Sequence, residues 1–286
     1  MSEKNKIEKS TLYLVGTPIG NLSDISERAI KVLTEVDFIA AEDTRNSMKL
    51  LMALGIKNEL VSYHEHNKKS SGERLVSRLL SGESCALITD AGMPAISDPG
   101  EDIVRLCADA GITVSVIPGP CAAISALALS GLGTRRFAFE GFLPAKESEK
   151  RKQLASLVKE DRTLIFYEAP HKLRSTLSEM CSAFGDDRKI SLCREITKIN
   201  EETQRMTLGK AVEYYNENEP RGEYVLIIEG FSGSNLSDEV TEMLNLSPDA
   251  HVEHYVMQGM AKMDAIKKAA KDRGMSKSEL YKILNT

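Results

Sequence analysis

The stretch "SCALITDAGMPAISDPGEDIVRLCADAGITVSVIPG", residues 84–119, holds the pattern that decides the fold. Its first seven residues are a short apolar run and predict a buried strand over 84–90. Residues 100–111 carry the apolar spacing of a helix, and 112–119 return to a strand. Between strand and helix, residues 90–100 place two aspartates, two prolines and two glycines. Strand, punctuated loop, helix and second strand make a βαβ unit, whose two strands lie parallel with the helix across one face.

The same alternation extends back to the N-terminus. "TLYLVG" (11–16) predicts a strand, and 23–36 a helix opened by an N-cap Ser or Asp. Residues 37–43 read as a strand, 44–56 as a helix ending at Gly55, 60–67 as a short strand and 71–82 as a helix. Together they predict an N-terminal α/β domain over 11–119 with a mostly parallel sheet and helices on both faces. Beyond it, "RFAFEGFLP", "RTLIFYEAP", "KISLCREI", "QRMTLG" and "EYVLIIEG" give about five strands, with helices at 147–159 and 171–184 between them. That spacing predicts a second α/β domain over 120–231 with a mixed sheet containing antiparallel pairs. "SGSNLSD" (232–238) reads as a polar linker. The tail 262–286 reads as helix, turn at Gly274 and a second helix capped by Ser276. The expected fold class is α/β, two α/β domains plus a small C-terminal helical unit over 232–286.

Composition bounds the function. Of 286 residues, 42% are hydrophobic and 28% charged, enough to bury one or two cores. The longest apolar runs, such as "YVLII" at 224–228, are far too short to cross a bilayer. The N-terminus "MSEKNKIEKS" lacks the apolar core of a signal peptide. Five cysteines include no CxxC pair, and Cys85, Cys107 and Cys193 sit in apolar runs as small buried hydrophobes, which points to the cytoplasm. A net charge of −5 argues against a surface that grips nucleic acid everywhere. The tail is the exception, with seven Lys/Arg against three acids over 262–286.

Three strand ends share one design. "VGTPIGNLSD", "TDAGMPAISDPG" and "IPGPCAAISA" each run from apolar strand into Gly/Pro loop and then into helix. In open α/β sheets, ligands bind beyond the carboxyl ends of the strands. Glycines there admit a ligand to the backbone, and prolines fix the loop without adding a donor. None of the loops is GxxxxGK[ST] or GxGxxG, which disfavours a polyphosphate held on a helix N-terminus. Carbonyl-rich rigid turns suit a ligand with a positive or neutral head.

The ordered set "LYLVGTPIGNLSDIS", "EDTR", "DAGMPAISDPG", "IPGPCAAISAL", "FEGFLP", "YEAPHKL" and "REITK" resembles the tetrapyrrole methylase superfamily over residues 11 to 230. It is most similar to the ribosomal-RNA branch, which methylates a cytidine 2′-oxygen of small-subunit rRNA. The resemblance implies S-adenosylmethionine folded in a cleft between the two α/β domains, held largely by backbone groups. It places Pro18, Asp90, Ala91, Gly92, Met93, Pro94, Cys121, Ala122 and Tyr167 at the cofactor. It also implies a homodimer whose partner is the small ribosomal subunit or its rRNA.

Transfer of a methyl group to a ribose hydroxyl is an in-line displacement that needs alignment and a proton acceptor or a nearby cation, with no metal required. Asp43, Arg45, His66 and Glu168 are the candidates for these roles. Glu42, His64, Asn67, His171, Arg194, Glu195 and Lys198 lie in the same motifs, and the residues alone single out no base. Two other functions fit the same chain, a same-fold methylase of a small molecule or protein side chain, and a non-catalytic RNA-binding assembly protein.

Overall fold

The computed structural model describes residues 6–232, 246–273 and 275–284. Two compact units are present, one formed by Met1–Ala155 with Arg162–Glu229, the other by Ser156–Asp161 with Gly230–Thr286.

The first sheet comprises β1 (Thr11–Val15), β2 (Phe38–Ala41), β3 (Leu60–Ser62), β4 (Cys85–Ile88) and β5 (Thr113–Ile117). Its order is β3-β2-β4-β1-β5 and every pairing is parallel. The helices between them are α1 (Glu27–Glu35), α2 (Thr44–Ala53), α3 (Lys68–Leu80) and α4 (Gly100–Asp109). Side-chain alternation explains the unbroken apolar runs. Phe38, Ala40, Cys85 and Leu87 pack with α3 and α4, while Ile39, Ala41, Ala86 and Ile88 pack with α1 and α2. A strand buried on both faces has no polar side to show. This is the doubly wound sheet expected from residues 84–119.

The second sheet comprises β6 (Phe137–Phe142), β7 (Thr163–Glu168), β8 (Lys189–Arg194), β9 (Glu202–Thr207) and β10 (Tyr224–Ile228), in the order β6-β7-β10-β8-β9. Only β6 and β7 run parallel; the other three pairings are antiparallel. Its helices are α5 (Ala122–Ser130), α6 (Glu147–Leu157), α7 (Pro170–Phe184) and α8 (Leu208–Glu217). Ala123, Ala126 and Leu127 of α5 pack on Ile165, Cys193, Val225 and Ile227.

Several boundaries differ from the sequence expectation. Helix α1 starts at Glu27 because Ser26 is its cap, accepting from Ala29 N, and Leu22–Asp24 form a separate 3-10 turn behind Asn21. The strand expected over 60–67 stops at Ser62. There the Asn67 side chain donates to the Ser62 carbonyl and accepts from His64 N, folding the chain into α3. Helix α8 was not expected. It follows β9 without a break because Thr207, the last strand residue, caps it through Lys210 N. The expected linker 232–238 falls almost wholly outside the described residues, as does Gly274.

The second unit contains α9 (Pro248–Met257), α10 (Lys262–Asp272) and α11 (Lys277–Ile283). Val252, Tyr255, Ala265, Ile266, Ala269, Ala270 and Leu280 form its core. Ser276 opens α11 with a full capping box to Glu279. Among the described residues no helix is long and apolar enough to cross a membrane.

Candidate active site

The loop after β4 is built to hold a shape. Ala95 (φ +68°) and Ser97 (φ +64°) both sit in the left-handed region, where a side chain is strained. The Asp98 carboxylate offsets that strain, with Oδ1 accepting from Ala95 N (3.0 Å) and Gly100 N (2.7 Å), and Oδ2 from Ile96 N (3.3 Å). Gly92, at φ +85°, lies opposite Thr17 of the β1 loop. Thr17 N donates to the Gly92 carbonyl (2.9 Å) and Gly92 N to the Thr17 carbonyl (3.2 Å). The β1 and β5 loops approach closely at Gly16 and Gly119. A Cβ on Gly16 would stand 2.7 Å from Gly119 Cα and 2.7 Å from Met93 Sδ. The three Gly/Pro loops are thus one continuous backbone wall.

That wall closes one side of a cavity of about 350 Å³, within the usual range for small-molecule sites. Residues 89–93 and 96–98 line it together with Ile19, Glu42, Cys121 and Ala122. The second sheet supplies the rest, with Phe142, Tyr167, Glu168 and Ala169, the 195–198 turn, and Glu223, Tyr224 and Val225. The Tyr167 ring lies edge-on to Phe139 (5.2 Å between centroids) and tilted against Phe142 (5.4 Å). Burial pushes its hydroxyl up to about 12, so it stays protonated and acts as donor or packing surface. On the opposite rim, Lys198 Nζ lies 3.0 Å from Glu195 and 3.2 Å from Glu223. Glu195 (φ +51°) and Thr197 (φ +68°) strain that turn as well.

Of the residues singled out from sequence, Glu42, Asp90, Ala91, Gly92, Met93, Cys121, Ala122, Tyr167, Glu168, Glu195 and Lys198 share this lining. Pro18 and Pro94 shape the loops without lining the cavity. Asp43 and Arg45 do not line it either. Asp43 caps α2 through Arg45 N (2.8 Å) and binds the Arg45 guanidinium (2.8 Å). That pairing holds the Asp43 carboxyl down at about 2, so it has little affinity for a proton at neutral pH. His66 lies in a separate shallow groove with Glu65, Asn67 and Lys68. Its displacement follows from the early end of β3. Glu168 lines the cavity, but its oxygens face inward, Oε1 accepting from Ala169 N (2.8 Å) and Oε2 from Thr176 Oγ1 (2.5 Å). It secures the start of α7.

Sequence reasoning missed Ile19, Thr89, Ile96, Asp98, Phe142 and the 223–225 strand. Thr89 donates to Glu42 Oε2 (3.0 Å) and Asn46 to Asp90 (3.2 Å), tying "EDTR" to the β4 loop. The Asp98-Pro99-Gly100 run before a helix was the available signal for a loop clasp. No local signal marked residues 223–225, which arrive only through strand order. Among the described residues, no three His, Cys, Asp or Glu side chains are grouped so as to hold a metal ion.

A doubly wound sheet joined to a mixed sheet, with a cavity at the carboxyl ends of the parallel strands, defines the class. The chain belongs to the tetrapyrrole (corrin/porphyrin) methylases, whose family model matches residues 11–212. Two solved structures share the fold. Uroporphyrin-III C-methyltransferase from Thermus thermophilus superposes with a TM-score of 0.55 at 20% identity, over 77% of this chain and 94% of that one. A cobalt precorrin-4 methyltransferase superposes with a TM-score of 0.56 at 18% identity, over 77% and 95%. Sequence relatives lie much nearer. Ribosomal RNA small subunit methyltransferase I of Halalkalibacterium halodurans is 48% identical over 99% of this chain and 97% of its own length. The protein of the same name in Bacillus subtilis is 47% identical over 98% and 96%.

Proposed function

We propose that this chain transfers a methyl group from S-adenosylmethionine to the 2′-oxygen of a cytidine in small-subunit ribosomal RNA, acting on the assembled subunit in the cytoplasm. The chain is a methyltransferase of ribosomal RNA and its cofactor is S-adenosylmethionine. What carries the reading furthest is the end-to-end match to relatives named for that RNA, at 48% identity over 99% of the chain.

The residues fit the cofactor. Thr89 to Met93 line the cavity in a loop pinned by the Gly92 backbone pair with Thr17, and the small Cys121 and Ala122 lie beside them. Six lining carboxylates favour a ligand carrying sulfonium and ammonium charges. When bound, the cofactor supplies an electrophilic methyl carbon. The protein's own part is to bind, orient and move a proton. We place Asp90, Ala91, Gly92, Met93, Cys121, Ala122 and Tyr167 at the cofactor. Glu42, whose Oε2 is steadied by Thr89, is the proton acceptor we favour, in place of Asp43, Arg45, His66 and Glu168. We further propose domain limits of 11–119, 120–231 and 232–286, and a two-fold homodimer.

The test is incorporation of labelled methyl from S-adenosylmethionine into small subunits, with the modified nucleotide mapped. Label at a cytidine 2′-oxygen is the expected result. Label on a base, or only on a tetrapyrrole, would overturn the chemistry. Binding of cofactor without transfer would make the chain an assembly factor. Light scattering should give twice the 31.5 kDa chain mass.

A further inference from the structure

The cavity poses a problem for an RNA substrate. Among the described residues its lining carries Glu42, Asp90, Asp98, Glu168, Glu195 and Glu223 against one cation, Lys198. Lys198 is already paired with Glu195 and Glu223. A phosphodiester brought to this mouth would meet like charge with little to neutralise it. The nucleotide therefore has to be received through its uncharged parts.

Phe142 is the group at the mouth suited to that. It lines the cavity and is 61% exposed, so much of its ring is open to a ligand. The backbone aims it there deliberately. A register shift between Phe139 and Gly141 interrupts the β6–β7 ladder, with Gly141 at φ +63°. Such bulges re-aim side chains beside active sites. The conformation demands glycine twice over, since a Cβ on Gly141 would also stand 3.2 Å from Ser97 Oγ of the strained loop. Three rings then form a ladder. Phe139 packs against the core around Ile165, Tyr167 lies edge-on to it, and Phe142 tilts against Tyr167 at the open end. The outermost ring has no aromatic partner on its far side among the described residues.

We propose that Phe142 is the stacking platform for a base of the RNA strand at the methylated nucleotide, holding that nucleotide so that its ribose enters the cavity. This rests on the ribosomal-RNA reading of the site. Stacking tolerates any base, because every base has a π-face, so Phe142 positions the strand and does not read its sequence.

The chain contains no tryptophan, so Phe142→Trp creates a single fluorescent reporter at the proposed platform. Its emission should be quenched on titration with small subunits and left unchanged by S-adenosylmethionine alone. Phe142→Ala should raise KM for the subunit roughly 5- to 150-fold, the range expected when one base–aromatic stack is removed. Cofactor Kd by calorimetry should not move. Phe142→Leu, apolar but without a π-face, should resemble Phe142→Ala, and Phe142→Tyr should recover most of the loss. An unchanged KM in Phe142→Ala overturns the proposal. So does weakened cofactor binding, which would assign the ring to the cofactor, or a halved light-scattering mass, which would assign it to an interface between copies. Wild-type protein that leaves ribosomal RNA unmethylated overturns the underlying reading as well, so the two failures are told apart by the wild-type control.

Discussion

Asp98 is the side chain on which the cavity wall most depends. Two of the residues it spans, Ala95 and Ser97, have positive φ, and its carboxylate accepts from three backbone N–H groups. Hydrogen bonds to an ionised group contribute about 1.5–3 kcal/mol each, and they are not additive. Asp98→Ala should therefore release the loop. We expect a loss of about 2 kcal/mol in urea unfolding and at least a tenfold weaker cofactor Kd by calorimetry. A loop that kept wild-type affinity would mean that Pro94 and Pro99 hold it without the clasp. Asp43 makes the opposite case. Its carboxyl is fully occupied by the α2 cap and Arg45. Asp43→Asn, which can still cap, should methylate much as wild type does, and Asp43→Ala should lower the thermal midpoint through loss of the α2 cap. A collapse of kcat in Asp43→Asn would return Asp43 to the chemistry. From sequence, capping and catalysis look alike at such a position, because both want a carboxylate at a strand-to-helix turn.

At the scale of elements, legibility followed the range of the interactions. Strands β1, β2 and β4 were visible because burial on both faces leaves an unbroken apolar run. Helix α8 was not, because Thr207 both ends β9 and caps the helix, so no turn residues separate the two elements. The cavity's far wall was invisible for a different reason. β10 inserts between β7 and β8, setting Val225 beside both Tyr167 and Cys193. No local pattern encodes that pairing. Glu168 joins the two scales, being buried with both oxygens committed to α7. Glu168→Ala strands the Thr176 hydroxyl and the helix start, and should cost about 2–3 kcal/mol. Glu168→Gln should restore much of that stability and keep methyl transfer. Activity lost in Glu168→Gln with stability intact would show a chemical role for the acid.

Across the whole molecule, the two compact units answer to different conditions. In the second, His251 is fully buried. Its Nδ1 accepts from Arg273 Nε (3.1 Å), and its Nε2 lies 3.4 Å from Asp272, which also accepts from the Tyr255 hydroxyl (2.7 Å). Burial lowers the His251 pKa below the usual 6.5, with Arg273 acting in the same direction. A base whose folded pKa is depressed stabilises the fold while both states are neutral, and loses that contribution as the unfolded state takes up its proton. Protection of α9–α11 amides from exchange should therefore fall as pH drops below about 6.5, and the drop should vanish in His251→Gln. Removing this unit is the larger test. The cavity lining runs from Ile19 to Val225, entirely within the other unit, so deletion of 232–286 should leave cofactor affinity unchanged. Lys262, Lys267, Lys268, Lys277 and Lys282 are exposed on α10 and α11, the charge distribution of a surface that binds phosphates, while the cavity mouth is acidic. Each phosphate that the protein no longer neutralises lowers the slope of log affinity against log salt by about 0.7–0.9. The truncated chain should bind small subunits more weakly at physiological salt, with a shallower salt dependence, and methylate them more slowly. Equal rates and equal slopes in both chains would mean that the lysines are only a solvated face and that RNA capture lies elsewhere.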